Sequence, residues 1–167
     1  TASSTDEISA GLEKFAAVSN AVGLSYEYAT SALATVTATT RQSADVVGTA
    51  FKTLFARIQD LELGKTLDDG TTLGKYSQAL ETVGVSIKTA DGGLREMDDI
   101  LSDLGEKWNS FDAEGNPLIS DDAKVALAQT VAGVRQYTQL IALMDNWDFM
   151  KENLETARNA TGTLNEQ

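Results

Sequence analysis

"SADVVGTAFKTLFARIQDLELG", Ser43 to Gly64, is the clearest helical pattern in the chain. Val47, Phe51, Leu54, Ile58 and Leu61 step by four and three, the spacing that keeps side chains on one face of an α-helix. Ser43 stands where its hydroxyl can accept from a first-turn N–H. Asp45 follows in the first turn, where the helix dipole favours an acid, and Gly64 is placed to end the run. A second row (Val46, Ala50, Phe55) makes the apolar stripe wider than a coiled-coil seam. The helix is therefore expected to pack against more than one neighbour.

The same punctuation extends to both sides. Ser4 with Glu7 fits a capping box, Ile8, Leu12, Phe15 and Val18 recur at helical spacing, and Gly23 stops the run. Ser25 caps "SYEYATSALATVTATT", although its threonines are poor helix formers. A short helix is expected from about Thr72 to Val83. In "VSIKTADGGLREM" the period changes, and Val85, Ile87 and Leu94 around "ADGG" suggest one small β-hairpin near residues 85–95. Helix returns with Met97, Ile100, Leu101, Leu104 and Trp108 on one face. "DAEGNPLIS" is a loop, and Ser120 caps the next helix. A last helix begins at Trp147 and gives way to a polar tail or linker at 161–167. Glycines at 64, 70, 84, 92, 93, 105 and 115 divide the whole into short helices. The fold expected is mainly α: one compact multi-helix module spanning 1–167.

"ALAQTVAGVRQYTQLIALMDNW", Ala126 to Trp147, contains a glycine and an arginine inside an apolar run. Glycine costs ~1 kcal/mol against alanine within a helix, so Gly133 needs a reason. Val125, Ala128 and Val131 form one apolar row before it; Val134, Leu140, Ile141 and Met144 form another after it. Two helical pieces are expected to meet near Gly133, at a kink or where another backbone approaches. Arg135 is expected to hold that joint through an acid or helix-end carbonyls, with contact to a partner as the alternative. Trp108 and Trp147 follow apolar rows, which places them in the core rather than at an interface.

Composition bounds the chemistry. With 42% hydrophobic residues in 167, the chain can bury a core without disulfide or metal staples. Its net charge is −12, and its thirteen Lys and Arg are scattered singly, so neither direct nucleic-acid binding nor adsorption to an anionic membrane is expected. No apolar run reaches the ~18 residues of a membrane span. The N-terminus has no signal-peptide pattern, and the missing initiator Met suggests a piece of a longer chain.

Histidine and cysteine are absent, which removes Ser–His–Asp, Cys–His and ordinary zinc arrangements. "LGKT" at Leu63 to Thr66 ends like a phosphate-binding loop, but it closes a helix instead of opening one. The loop from Asp112 offers oxygens at alternate positions as a calcium loop does. It carries Pro117 where glycine is needed and Ala123 where the closing acid belongs. Adjacent acids (Asp68 and Asp69, Asp98 and Asp99, Asp121 and Asp122) are read as solvated helix and turn residues. No cofactor, metal or catalytic residue is expected, and the chain is read as a non-enzyme.

Three segments occur in an informative order: "SADVVGTAFKTLFAR" (Ser43 to Arg57), "VGVSIKTADGGLREMDDILSDLGEKW" (Val83 to Trp108), and "AGVRQY" (Ala132 to Tyr137) followed by "LIALMDNW" (Leu140 to Trp147). Together, over about 40–147, they resemble the core region of phage tail tape measure proteins of siphophages and prophages of Gram-positive bacteria. The resemblance marks Phe51, Arg57, Trp108, Gly133, Arg135, Tyr137 and Trp147 as motif residues, with packing or interface roles.

The resemblance implies a virion structural protein in the tail-tube lumen, found in the host cytoplasm during assembly. Such a protein sets tail length and leaves ahead of the DNA. Implied partners are the tail-tube protein, tail assembly chaperones and distal-tail proteins, with a homo-oligomer in the tail. The acidic surface would either meet a basic partner or repel the DNA that follows. Alternatives are an envelope-acting module that binds or cleaves peptidoglycan, and a bacterial helical adaptor.

Overall fold

The computed structural model describes residues 4–166, with side chains as far as Gly162. Eight helices lie among the described residues: α1 (Thr5–Val22), α2 (Tyr26–Thr40), α3 (Ala44–Glu62), α4 (Leu73–Glu81), α5 (Met97–Trp108), α6 (Asp121–Ala132), α7 (Tyr137–Asp145) and α8 (Trp147–Glu166). The mainly α fold read from the sequence is the fold observed.

Helix starts follow the capping serines. The hydroxyls of Ser4, Ser25, Ser43 and Ser120 each accept from an N–H three residues on, and Thr72 does the same for α4. Gly23 closes α1 in the left-handed region, with its own N–H and that of Leu24 returning to Asn20 and Ser19 carbonyls. At the end of α3 the N–H groups of Leu63, Gly64 and Lys65 return to helix carbonyls, so "LGKT" is a helix terminus as read.

The stripe on α3 is the centre of the core. Val47, Phe51, Leu54, Ile58 and Leu61 are buried, and so are Ala50 and Phe55 of the second row. Val46 departs from that row, being 48% exposed, because it faces away from the side on which Ala44, Val47 and Gly48 meet α1. Against α3 lies α1, and their crossing has almost no side chain in it. A Cβ on Gly11 would stand 2.6 Å from the Ala44 carbonyl oxygen, and one on Gly48 would overlap the Gly11 carbonyl oxygen. Backbone therefore rests on backbone. One turn further along, Phe15 meets Phe51 edge-on at 5.4 Å and stacks against Phe55 at 6.2 Å.

Poor helix propensity in α2 is overcome by burial, and its hydroxyls are satisfied locally. Tyr28, Leu33 and Val36 are fully buried, and the Thr35, Thr37, Thr39 and Thr40 hydroxyls donate back to carbonyls of the preceding turn. On the outer side of α2 rests α8, where Asn153 donates to Thr35 Oγ1 at 3.0 Å. The last helix does not stop near residue 160 as the polar run suggested. It continues to Glu166; the expected tail's final residue, Gln167, lies outside the described residues.

The hairpin expected near 85–95 is reduced to one antiparallel bridge, Lys88 to Leu94. Val85 N–H is spent on capping α4 through Leu80 O, and α5 starts at Met97, so too few residues remain to pair. The Asp91 carboxylate holds the turn by accepting from Thr89 Oγ1 and Gly93 N. Asp112 organises the loop after α5 in the same way, accepting from Glu114 N and Asn116 N. The oxygens that resembled calcium ligands in sequence include this turn-forming carboxylate. Gly105 does not break a helix either: it lies within α5, and Trp147's ring occupies the space a side chain would need.

Glu62, half-buried at the end of α3, has its carboxyl pushed up from 4.5 to about 7, first by burial and then by the charge of Glu96. A raised carboxyl favours the folded state when protonated. Its contribution is thus fully present below pH 4.5 and lost as pH rises through about 7. Glu62→Gln is expected to raise the urea midpoint at pH 8 relative to the parent, with the difference vanishing or reversing at pH 4.5. Equal gains at both pH values would contradict this.

Candidate functional site

The α6–α7 joint is where sequence and structure converge on a constructed feature. Helix α6 ends at Ala132, and Gly133 is buried with φ 85° and ψ 162°, a backbone region open essentially to glycine alone. The chain then turns through residues 134–136 into α7. Two helical pieces do meet at Gly133, and the reason is backbone conformation: what lies nearest to it is the Arg57 side chain. Gly133→Ala is expected to cost about 1–3 kcal/mol, read as a lower urea midpoint at an unchanged slope.

The arginine that holds the joint is Arg57, not Arg135. From α3, Arg57 Nη2 donates to the Thr130 carbonyl at 2.9 Å and to Thr71 Oγ1 at 3.1 Å, while Nη1 pairs with Asp69 Oδ2 at 2.9 Å. Thr130 O is one of the last four carbonyls of α6, which have no partner within the helix. One planar side chain thus ties α3, the 65–72 loop and the end of α6 together. Asp69 is itself fixed: Thr71 N–H, Thr71 hydroxyl and Arg57 together hold its carboxyl below the usual range, the backbone bond contributing most.

Arg135 lies two residues beyond Gly133, on the outer side of the turn. It is exposed and makes no ion pair among the described residues. Val134 beside it is 71% exposed and Val125 is 39% exposed, so neither belongs to the inward rows proposed for them. The inward sets are Leu127, Ala128, Val131 and Ala132 on α6, then Leu140, Leu143 and Met144 on α7.

Arg57, Gly133 and Arg135 line one cleft of about 840 Å³, together with Lys52, Asp60, Lys65, Asp68 and Asp69. The other motif residues lie elsewhere. Phe51 is buried in the α1–α3 seam, and Tyr137 is half-buried at the start of α7. Trp108 and Trp147 are core residues, as read. Trp108 Nε1 donates to Asp145 at 2.8 Å and Trp147 Nε1 to Glu106 at 3.2 Å, joining α5 to the α7–α8 corner.

Asp69 and Thr71 carried no motif signal and were legible only as part of a turn; Lys52 lies inside the Ser43–Arg57 motif segment, where nothing singled it out as a site residue. Among the described residues no group of three acids is placed to hold a metal ion, and no helix is long and apolar enough to cross a membrane.

The family model described as phage-related minor tail protein matches residues 1–133. The chain belongs to this family. It is a structural protein of a phage tail, and the partners it meets are tail-associated. The match of this minor tail protein takes in α1 and α2, which precede the motif segments, and ends at the Gly133 joint. Helices α7 and α8, with the "LIALMDNW" motif, lie beyond it. No solved structure matches the chain.

Proposed function

We propose that this minor tail protein is a compact module of a tail tape measure protein. It acts without catalysis in tail assembly and length determination within the tube lumen, and it is expelled when DNA is ejected. The observation that carries the reading is the ordered set of motif segments between Ser43 and Trp147 on a chain of the minor tail family. Several carboxylates are already engaged in structural bonds, which supports a non-catalytic role. Asp69 is bound to Arg57 and Thr71, Asp98 accepts from Ser25 N–H, and Asp103 is paired with Arg95 and Lys107. Tail-tube, chaperone and distal-tail proteins are the partners this role requires.

Folded, the module is a poor ruler. Drawn out as one helix, 167 residues would span ~250 Å, whereas the longest helix, α8, has 20 residues and spans only ~30 Å. An in-frame duplication of the module within its parent gene, with tail length read by electron microscopy, tests the proposal. Tails lengthened by tens of ångströms fit a folded module in a tape measure, and a gain near ~250 Å would show that the module is extended in the tail. Tails whose length ignores every in-frame change of the parent would overturn the tape-measure role. Muropeptide release by the purified chain would overturn the non-catalytic one.

A further inference from the structure

The cleft at the α6–α7 joint departs from the rest of the molecule in charge. The chain as a whole carries −12, yet four cations and three acids line this one depression. Arg57 and Lys65 are neutralised there by Asp69 and Asp60. Lys52 and Arg135 are exposed and have no acid within ion-pair distance among the described residues; Asp68 is the single acid left over. Val134, 71% exposed, stands next to Arg135, and half-buried Ala56 and Leu67 add apolar surface. The shape is fixed rather than adventitious, because Gly133 and the Arg57 bonds set the path of the turn.

We propose that this cleft docks an acidic segment of a partner protein, which lays an aliphatic side chain on Val134 and sets carboxylates against Lys52 and Arg135. A protein segment fits better than a nucleic acid. A long polyphosphate would meet the surrounding negative field, while one or two carboxylates feel mainly the charges within a Debye length, ~8–10 Å at moderate salt. The site does not depend on the tape-measure reading, and its test uses peptides instead of tail proteins.

The ¹⁵N-labelled chain is titrated with acetyl-Glu-Val-Glu-amide and, separately, with acetyl-Lys-Val-Lys-amide. Saturable amide shifts confined to the cleft walls, from the glutamate peptide alone and weakened by added salt, are expected. Lys52→Glu and Arg135→Glu should each weaken binding about fivefold; both positions are exposed, so the fold should be retained, as the unshifted remainder of the spectrum will show. No saturable shift at the cleft, equal shifts from both peptides, or binding indifferent to both substitutions would overturn the proposal.

Discussion

Trp147→Ala should lower stability by about 3–5 kcal/mol, the range for deleting a large buried aromatic side chain. The indole is 3% exposed, lies against Gly105 of α5, sits 6.5 Å from the Tyr28 ring, and donates to Glu106. Its loss would open a void where α2, α5 and α8 converge. Urea unfolding reads the effect directly. Trp147→Phe should recover part of it, keeping apolar contact while losing the bond to Glu106. The pairing with Gly105 gives a sharper check. Gly105→Ala forces a methyl group into the indole and should be costly in the parent, but much less so once Trp147 is alanine. The coupling in that double-mutant cycle should exceed about 1 kcal/mol. Additive effects would mean that the ring does not rest where the structure places it.

Gly48→Ala is the second large effect. On an isolated helix the change would stabilise by up to ~1 kcal/mol. In α3 the new methyl would overlap the Gly11 carbonyl oxygen, a backbone atom that cannot rotate away. Overpacking of this kind costs about 1–3 kcal/mol and outweighs the helix gain. Gly74→Ala in α4 is the control, because only Thr72 Oγ1 lies near, at 3.8 Å. A Gly48→Ala protein as stable as the Gly74→Ala protein would remove the close seam from the account of this fold.

These two sites also mark what could be read in advance. Helix starts were legible because a serine hydroxyl and the N–H it receives lie three residues apart. The α3 stripe was legible because period alone defines a helix face. Gly133 announced its joint because a glycine in an apolar run has a cost that something must offset. Gly48 gave no such warning, since its reason is Gly11 on another helix. Gly105 was misread as a breaker for the same cause, its partner Trp147 being distant in sequence. At the cleft, Arg57 was marked only as a motif residue, and its role went to Arg135, the nearer arginine. The bond that decides the matter reaches Thr130, 73 residues away. Local patterns mark the capped helix starts, and they carry no information about which side chain crosses from one helix to another.

The packing of the first three helices and the last one also grades how the molecule resists a pull. Helix α8 rests chiefly on α2, through Met150, Asn153 and, near its end, Thr161, whose hydroxyl donates to Glu27. Tension on that end can detach it one turn at a time, each step breaking few contacts. The α1–α3 pair has no such sequence of small steps, because its backbones interlock at Gly11 and Gly48 and its phenylalanine rings lie just beyond. It must slip as a unit. A load applied through α8 therefore meets a yielding strap first and a rigid clasp last, which sets the order in which this protein would come apart when drawn through a narrow passage.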